Sequence, residues 1–471
     1  MPSAKPLLQI LAVSLLAACA APPNPPTSTI DLSPDALSRM DDRLAAEALG
    51  IGDAEWGYQL SDAETGEILA EANAGQGFPP ASTAKLPTMV AALGILGPTY
   101  RFTTQLLARG TLKSGTLSGD LVLTGDGDPL LAAGDLRALV IRMKDIGIER
   151  LEGRFLYASA LPVIAEVEPA QPALAPYNQG VGGLNIEFNR VLLTRPAIAD
   201  DRTAFTTPPE AKPLIPDTGD AGPGTMDVPV REPDRLAASM LYRFAKAEGI
   251  ELPVPETGAP PPGAVVLAQI RSQPLIEIVR AGLEYSNNMV AEVSGLAASR
   301  SLGSGAETLK QSADTLGIWL EREIPSLKRF ATALDNHSGL STESRISPTQ
   351  MTAILKYALK RRFDGWRFDS LLTPGGARDT LRGRFRDPDT AYRVWAKSGT
   401  MRYIKGLAGY LDARSGRRLI FALFVHDPVR RAWLENDPAR YGATSRAASA
   451  AWRDRSDTFE AAIVTRWIRE H

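Results

Sequence analysis

One cysteine and three histidines stand in a chain of 471 residues. Cys19 has no second thiol to pair with, so no internal disulfide can brace the fold and stability must come from a core. His337, His426 and His471 are scattered, and no two lie at the spacing that sets ligands on one helix face, which argues against a metal centre. No G-x-S-x-G sequence accompanies them, which argues against a Ser-His-Asp hydrolase. The segment from Thr124 to Asp128 has the first letters of a calcium loop without its remaining ligands and reads as a turn. Long basic runs are missing too. With a formal net charge of −2 there is no electrostatic case for a nucleic-acid partner. No cofactor is expected.

What the chain does have is a globular balance, 44% apolar and 23% charged, over a length that suits two or three compact units. Its one sustained apolar stretch, Leu7 to Ala18 after Lys5, is short for a membrane span. A positive start, a short apolar middle and small residues at the end describe a secretory signal. The stretch closes on Leu16-Ala17-Ala18-Cys19, which resembles a bacterial lipobox, with cleavage before Cys19 and lipidation of its thiol. Attached acyl chains would anchor the protein to a membrane. Ala20 rather than an acidic residue after the cysteine resembles lipoproteins sorted to an outer membrane, facing the periplasm. Residues 20–35, rich in proline and small polar residues, read as a tether.

Beyond the tether, apolar spacing predicts a helix from about Pro34 to Leu49. A hairpin follows, Trp56–Leu60 and Glu67–Ala70, and then a helical stretch from Ser82 through Leu96. From Tyr100 to about Leu193 short strands and helices alternate. Two proline-rich passages bracket a helix near Arg235 to Glu248. After Gln269 the pattern is helical through Ser286 and over 306–322. It ends in strand signals at 393–396, 406–411 and 419–425 and a helix from about Ala447. Helices flanking a final run of antiparallel strands predict an α+β fold.

Three short signals carry chemistry. Ser82-Thr-Ala-Lys85 puts a hydroxyl and an amine at i and i+3 on one helix face, where the amine can reach the hydroxyl. Serine becomes a nucleophile when a base takes its proton, and a lysine whose pKa is depressed can be that base. A lone S-x-x-K is weak, since about one is expected by chance in a chain this long. By itself it is a helix N-cap and a surface lysine. Ser286-Asn287-Asn288 opens a second helical stretch and alone is only a capping segment. Lys397-Ser398-Gly399-Thr400 follows the strand-like 393–396, where Gly399 would let a substrate backbone lie close. An identical Lys113-Ser-Gly-Thr116 lies between two strand patterns and reads as a turn. Chain order selects the later copy.

In this order the three signals resemble the S-x-x-K, S-x-N and K-[TS]-G set of penicillin-binding proteins and β-lactamases. Longer stretches narrow the likeness: Thr124–Leu130, Arg271–Leu275, Tyr285-Ser-Asn-Asn-Met-Val-Ala-Glu292, Asn336-His-Ser-Gly-Leu-Ser341 and Asp379–Phe385 are similar to class C low-molecular-mass penicillin-binding proteins. That family carries a large insertion between its first two motifs, and Ser82 and Ser286 stand about two hundred residues apart. The resemblance implies a transpeptidase-like domain in 36–99 and 269–471 around an inserted α/β region in 100–268, which follow the signal peptide in 1–18 and the lipidated Cys19 with its tether in 19–35 read from the N-terminal residues. It implies a serine D-alanyl-D-alanine carboxypeptidase, also able to act as an endopeptidase, that takes peptidoglycan stem peptides and is acylated by β-lactams. By role, Ser82 attacks, Lys85 is the base and Ser286 relays a proton to the leaving amine. Asn288 holds the substrate amide; Lys397, Ser398 and Thr400 receive the terminal carboxylate. The N–H groups of Ser82 and Thr400 would form the oxyanion hole.

Three features depart from the pattern. Ser398 replaces a commoner threonine and keeps a hydroxyl. Pro87 predicts an irregular first helical turn. His337 replaces a common glycine and reads as a loop residue lining the cleft. A non-catalytic wall-binding lipoprotein and a β-lactamase remain the alternatives. The full set of reactive side chains weighs against the first, and the large insertion against the second.

Overall fold

A computed structural model describes residues 31–195, 209–218, 224–329, 333–377, 381 and 383–471. The expected signal, Cys19 and most of the tether lie outside the described residues, as do Asp379 and Thr380 of one family-like stretch. No described helix is long and apolar enough to cross a membrane.

Two neighbouring strands, Ile404–Asp412 and Arg418–His426, are apolar along nearly their whole length and buried on both faces. They form the middle of a six-stranded antiparallel sheet. Its order is Thr373–Pro374, Val394–Met401, Ile404–Asp412, Arg418–His426, Glu55–Asp62, Ile68–Ala72. Successive side chains leave a strand on opposite faces. Ile420, Ala422 and Phe424 therefore enter a core with the helices Lys85–Leu96, Asn288–Ser301, Leu309–Glu323 and Pro348–Leu359. Leu419, Phe421, Leu423 and Val425 enter a second core against the long helix Ala443–Glu470. The α+β class holds.

The first helix is shorter than the apolar spacing implies. Two pieces form, Pro34–Leu37 and Asp42–Ala48, because the Asp41 carboxylate accepts the N–H groups of Arg43 and Leu44 and starts a new helix there. The helices Pro348–Leu359 and Pro428–Asn436 are not among the expected elements, although Met351, Ile354, Leu355 and Ala358 of the first stand at helical spacing.

A second sheet lies between the first and second motifs in the chain. Its order is Val265–Arg271, Thr103–Lys113, Thr116–Gly125, Phe155–Ser159, Glu256–Thr257, with Arg150–Glu152 parallel to Thr116–Gly125. With the helices Ala133–Ile146 and Pro233–Ala247 it encloses its own core around Leu121, Leu139 and Leu241. This is the mixed inserted region. The first Lys-Ser-Gly-Thr copy lies here: Lys113 ends one strand, Thr116 starts the next, and Ser114 and Gly115 both take positive φ. That is a tight hairpin turn of the kind that needs two left-handed residues, and Lys113 is exposed in it.

Candidate active site

Pro80, Ala81 and Ser82 enter a short 3-10 turn, Ala81–Ala84, that runs straight into the Lys85–Leu96 helix. Pro87 is the third residue of that helix. The first N–H groups of a helix have no intrahelical acceptor, so proline costs no hydrogen bond there. The irregular turn lies just before the helix and contains Ser82.

Three glycine contacts hold this turn from both sides. A β-carbon at Gly399 would stand 2.5 Å from the Pro80 carbonyl oxygen and 3.0 Å from the nitrogens of Ser82 and Thr83. One at Gly406 would stand 3.2 Å from the same oxygen, and one at Gly339, whose φ is +78°, would stand 1.9 Å from the Ala81 carbonyl oxygen. The close neighbour of Gly399 within the chain is thus the turn that carries Ser82.

Lys85 is fully buried, with Nζ 2.9 Å from Ser82 Oγ. It donates to Asn288 Oδ1 at 2.8 Å and to the Ser338 carbonyl at 3.0 Å. Burial lowers its pKa to about 7, partly opposed by the negative charge of buried Glu292. A neutral amine has two N–H groups and one lone pair. The two carbonyl acceptors take the N–H groups, which leaves the lone pair for the Ser82 proton. Glu292 accepts the backbone N–H groups of His337 and Ser338 at 3.0 and 2.9 Å. One carboxylate thereby fixes residues 337 and 338 from their N–H side, next to the Ser338 carbonyl that holds Lys85.

Asn288 is engaged at both ends, since its Nδ2 donates to the Tyr177 carbonyl at 2.9 Å. It holds the Lys85 amine and ties the inserted region to the cleft. Ser286 has a positive φ of 54° and lines the same cavity as Ser82, Asn288 and Thr400. That cavity, of about 670 Å³, continues past Met401 and Arg402 to Arg431, Arg440 and Tyr441.

Lys397 is buried and donates to the Ser398 carbonyl at 2.7 Å. Burial first, then the charges of Lys85 and Lys405, depress its pKa well below the ordinary lysine range. Among the described residues, the strand carrying it has no partner at one edge from Lys397 onward, because Thr373–Pro374 pairs with Trp395 and Ala396 alone. The turn at Arg402–Tyr403 closes on the pair Met401–Ile404. Alternation along an antiparallel ladder then turns the N–H and C=O groups of Ser398 and Thr400 to that open edge.

His337 does not line the cleft. Its ring is buried, with Nε2 2.8 Å from Ser312 Oγ, and it lies against Gly295, where a β-carbon would come within 2.3 Å of the ring. A glycine on the Asn288–Ser301 helix makes room for the ring away from solvent. Desolvation lowers the His337 pKa to about 3.

The chain matches the D-Ala-D-Ala carboxypeptidase 3 (S13) family over residues 37–192 and 215–440. It belongs to that family. As an S13 member it is a serine peptidase, a penicillin-binding protein directed at peptidoglycan and hence a protein of the cell envelope. It is 22% identical over 421 residues to the D-alanyl-D-alanine carboxypeptidase DacB of Haemophilus influenzae, covering 79% of this chain and 85% of that one. A carboxypeptidase of Mycobacterium tuberculosis is 27% identical over 367 residues, covering 74% and 71%. The crystal structure of penicillin binding protein 4 from Haemophilus influenzae superposes with a TM-score of 0.77 at 20% identity, covering 91% of this chain and 100% of that one. That likeness supports a penicillin-binding fold with an inserted region.

Sequence reasoning alone passed over Glu292, the Ser338 carbonyl, Tyr177 and Lys405. Glu292 was legible in principle, as the one carboxylate of the Asn288–Ser301 helix, set between Ala291 and Val293.

Proposed function

We propose that Ser82 is the acylated residue of a D-alanyl-D-alanine carboxypeptidase that also cleaves D,D-cross-links as an endopeptidase. The observation that carries this reading is the Lys85 amine, 2.9 Å from Ser82 Oγ with its N–H groups directed at Asn288 and Ser338. Lys85 takes the Ser82 proton as Oγ adds to the carbonyl carbon between two terminal D-alanines. The oxyanion is met by the N–H groups of Ser82 and Thr400. The C–N bond then breaks, Ser286 passes a proton to the departing amine, and the acyl group remains on Ser82. Water, deprotonated in turn by Lys85, hydrolyses that ester and frees the shortened peptide.

The terminal carboxylate is received by Lys397 and the hydroxyls of Ser398 and Thr400. Its negative charge replaces what burial removes, so Lys397 binds it as an ammonium. Asn288 passes from the Tyr177 carbonyl to the substrate amide. A β-lactam acylates Ser82 in the same way and stays. Residues 36–99 and 272–471 form the peptidase domain around an insert that ends with its strand Val265–Arg271 rather than at 268, and Cys19 carries a lipid that holds the protein at the outer membrane, facing the periplasm. The motif order and the Leu16–Cys19 ending support these assignments.

Intact-protein mass after incubation with a penicillin tests the central claim. One penicilloyl group is expected on the wild type and none on Ser82→Ala. An undiminished adduct on that variant would remove Ser82 from the reaction.

A further inference from the structure

Lys405 lies opposite Thr400 on the neighbouring strand. It is only 3% exposed, yet it carries charge in a strand that is otherwise apolar between Ile404 and Leu411. Its Nζ reaches two partners. One is Thr400 Oγ1 at 2.8 Å, and the other is Asp457 Oδ1 of the Ala443–Glu470 helix at 2.7 Å. Asp457 is paired again with Arg384 at 3.1 Å, and Arg384 reaches fully buried Glu460 at 2.8 Å. A four-residue ionic cluster thus ties the strand beside the motif strand to the C-terminal helix, and the Lys405–Thr400 hydrogen bond carries that tie to the motif strand.

Its consequence for Thr400 follows from donor chemistry. A lysine ammonium only donates, so the Thr400 oxygen must accept from Lys405. Its own O–H is then released to donate elsewhere, and the remaining direction is the cleft that Thr400 lines. The charge of Lys405 also reaches the motif lysine, where it opposes protonation of Lys397 while that end of the cleft is empty. A bound carboxylate would meet both cations.

We propose that Lys405 is a positioning residue for carboxylate recognition. It fixes the Thr400 hydroxyl as a donor toward the terminal carboxylate and adds a second positive charge to that end of the cleft, held in place by Asp457. This rests on the reading that the Lys397–Thr400 strand receives the carboxylate.

The experiment compares second-order acylation rates of benzylpenicillin and its methyl ester, which lacks the free carboxylate. The wild type should prefer the acid. Lys405→Met should lower the rate with the acid by about 10- to 100-fold, the range for a lost hydrogen bond involving charge, while the ester stays within about twofold. Lys405→Arg should restore most of the loss. In a Thr400→Val background the same Lys405→Met change should cost clearly less than in the wild type. Should Lys405→Met fail to fold, Lys405→Met with Asp457→Asn removes both members of the pair and gives the same comparison. Equal losses with acid and ester would reduce Lys405 to a structural ion pair and overturn the proposal, as would an unchanged rate with the acid. A wild type indifferent to the carboxylate would overturn the strand reading itself.

Discussion

Gly399 lies so close to Pro80 that a β-carbon on the former would stand 2.5 Å from the carbonyl oxygen of the latter. The motif strand and the nucleophile turn are therefore packed backbone to backbone, and their spacing sets where Ser82 meets the strand edge. Gly399→Ala should force the two apart, costing about 1–3 kcal/mol of stability by overpacking. The acylation rate should fall further than that stability loss explains. Thermal melts beside penicillin acylation rates measure both, and a variant with a wild-type rate would show that the spacing is not critical.

The two Lys-Ser-Gly-Thr copies occupy opposite situations, one buried in the cleft strand and one exposed in a hairpin. Lys85→Ala should be the most damaging of three alanine variants because it removes the base. Lys397→Ala should cost about 1.5–3 kcal/mol of acylation barrier through a lost charge-assisted contact. Lys113→Ala should change stability by no more than about 0.5 kcal/mol and leave the rate alone. Acylation kinetics with one β-lactam rank them. A crippled Lys113 variant would transfer the motif to the wrong sheet.

Lys85 has a pKa of about 7, so the free-enzyme rate should rise with pH and level off above neutrality as the amine loses its proton. Glu292 on the Asn288–Ser301 helix and Lys397 on the motif strand are the charged groups facing it. Glu292 favours the ammonium, so Glu292→Gln should move the acidic limb to lower pH. A limb that stays in place while the rate drops would mean that Glu292 only supports the 337–338 peptide.

His337 is buried and neutral, with a pKa near 3 against 6.5 when solvated. Between those values the unfolded chain binds a proton that the folded chain refuses, so stability falls as pH drops through this window. The contribution approaches about 1.4 kcal/mol per pH unit. His337→Asn should be less stable near pH 7 and lose less on acidification. Urea unfolding at several pH values reads the slope, and parallel slopes for both proteins would contradict a buried neutral imidazole.

Cys19 closes the signal-like segment. Wild-type protein from cells should partition into detergent and Cys19→Ala into the aqueous phase. Identical partitioning would exclude lipid attachment at this residue.

Much of the fold could be read along the chain because its determinants are local. The hairpin 55–72 and the final strands have the apolar pattern and turns that strands require. The inserted region announced itself as alternating short elements. The helix at Pro34–Leu49 was misjudged because the Asp41 cap, a local competitor, cuts an otherwise continuous apolar stripe. Ser82 and Lys85 are three residues apart, so helical geometry alone puts them in reach.

The rest depends on atoms far apart in sequence. His337 was read as a cleft residue because nothing beside it shows that Gly295 leaves a space for its ring. That Gly399 makes room for the Pro80 carbonyl was hidden, because the two are more than three hundred residues apart. By itself the sequence determined that a hydroxyl and an amine come within reach of each other, since Ser82 and Lys85 and their helical spacing are written in four consecutive letters. Only the tertiary structure decided their state. The depressed pKa of Lys85, the direction of its lone pair and the pairing of Lys405 with Thr400 all come from burial and from partners on other elements. Desolvation and hydrogen-bond direction exist only after the chain has closed around them.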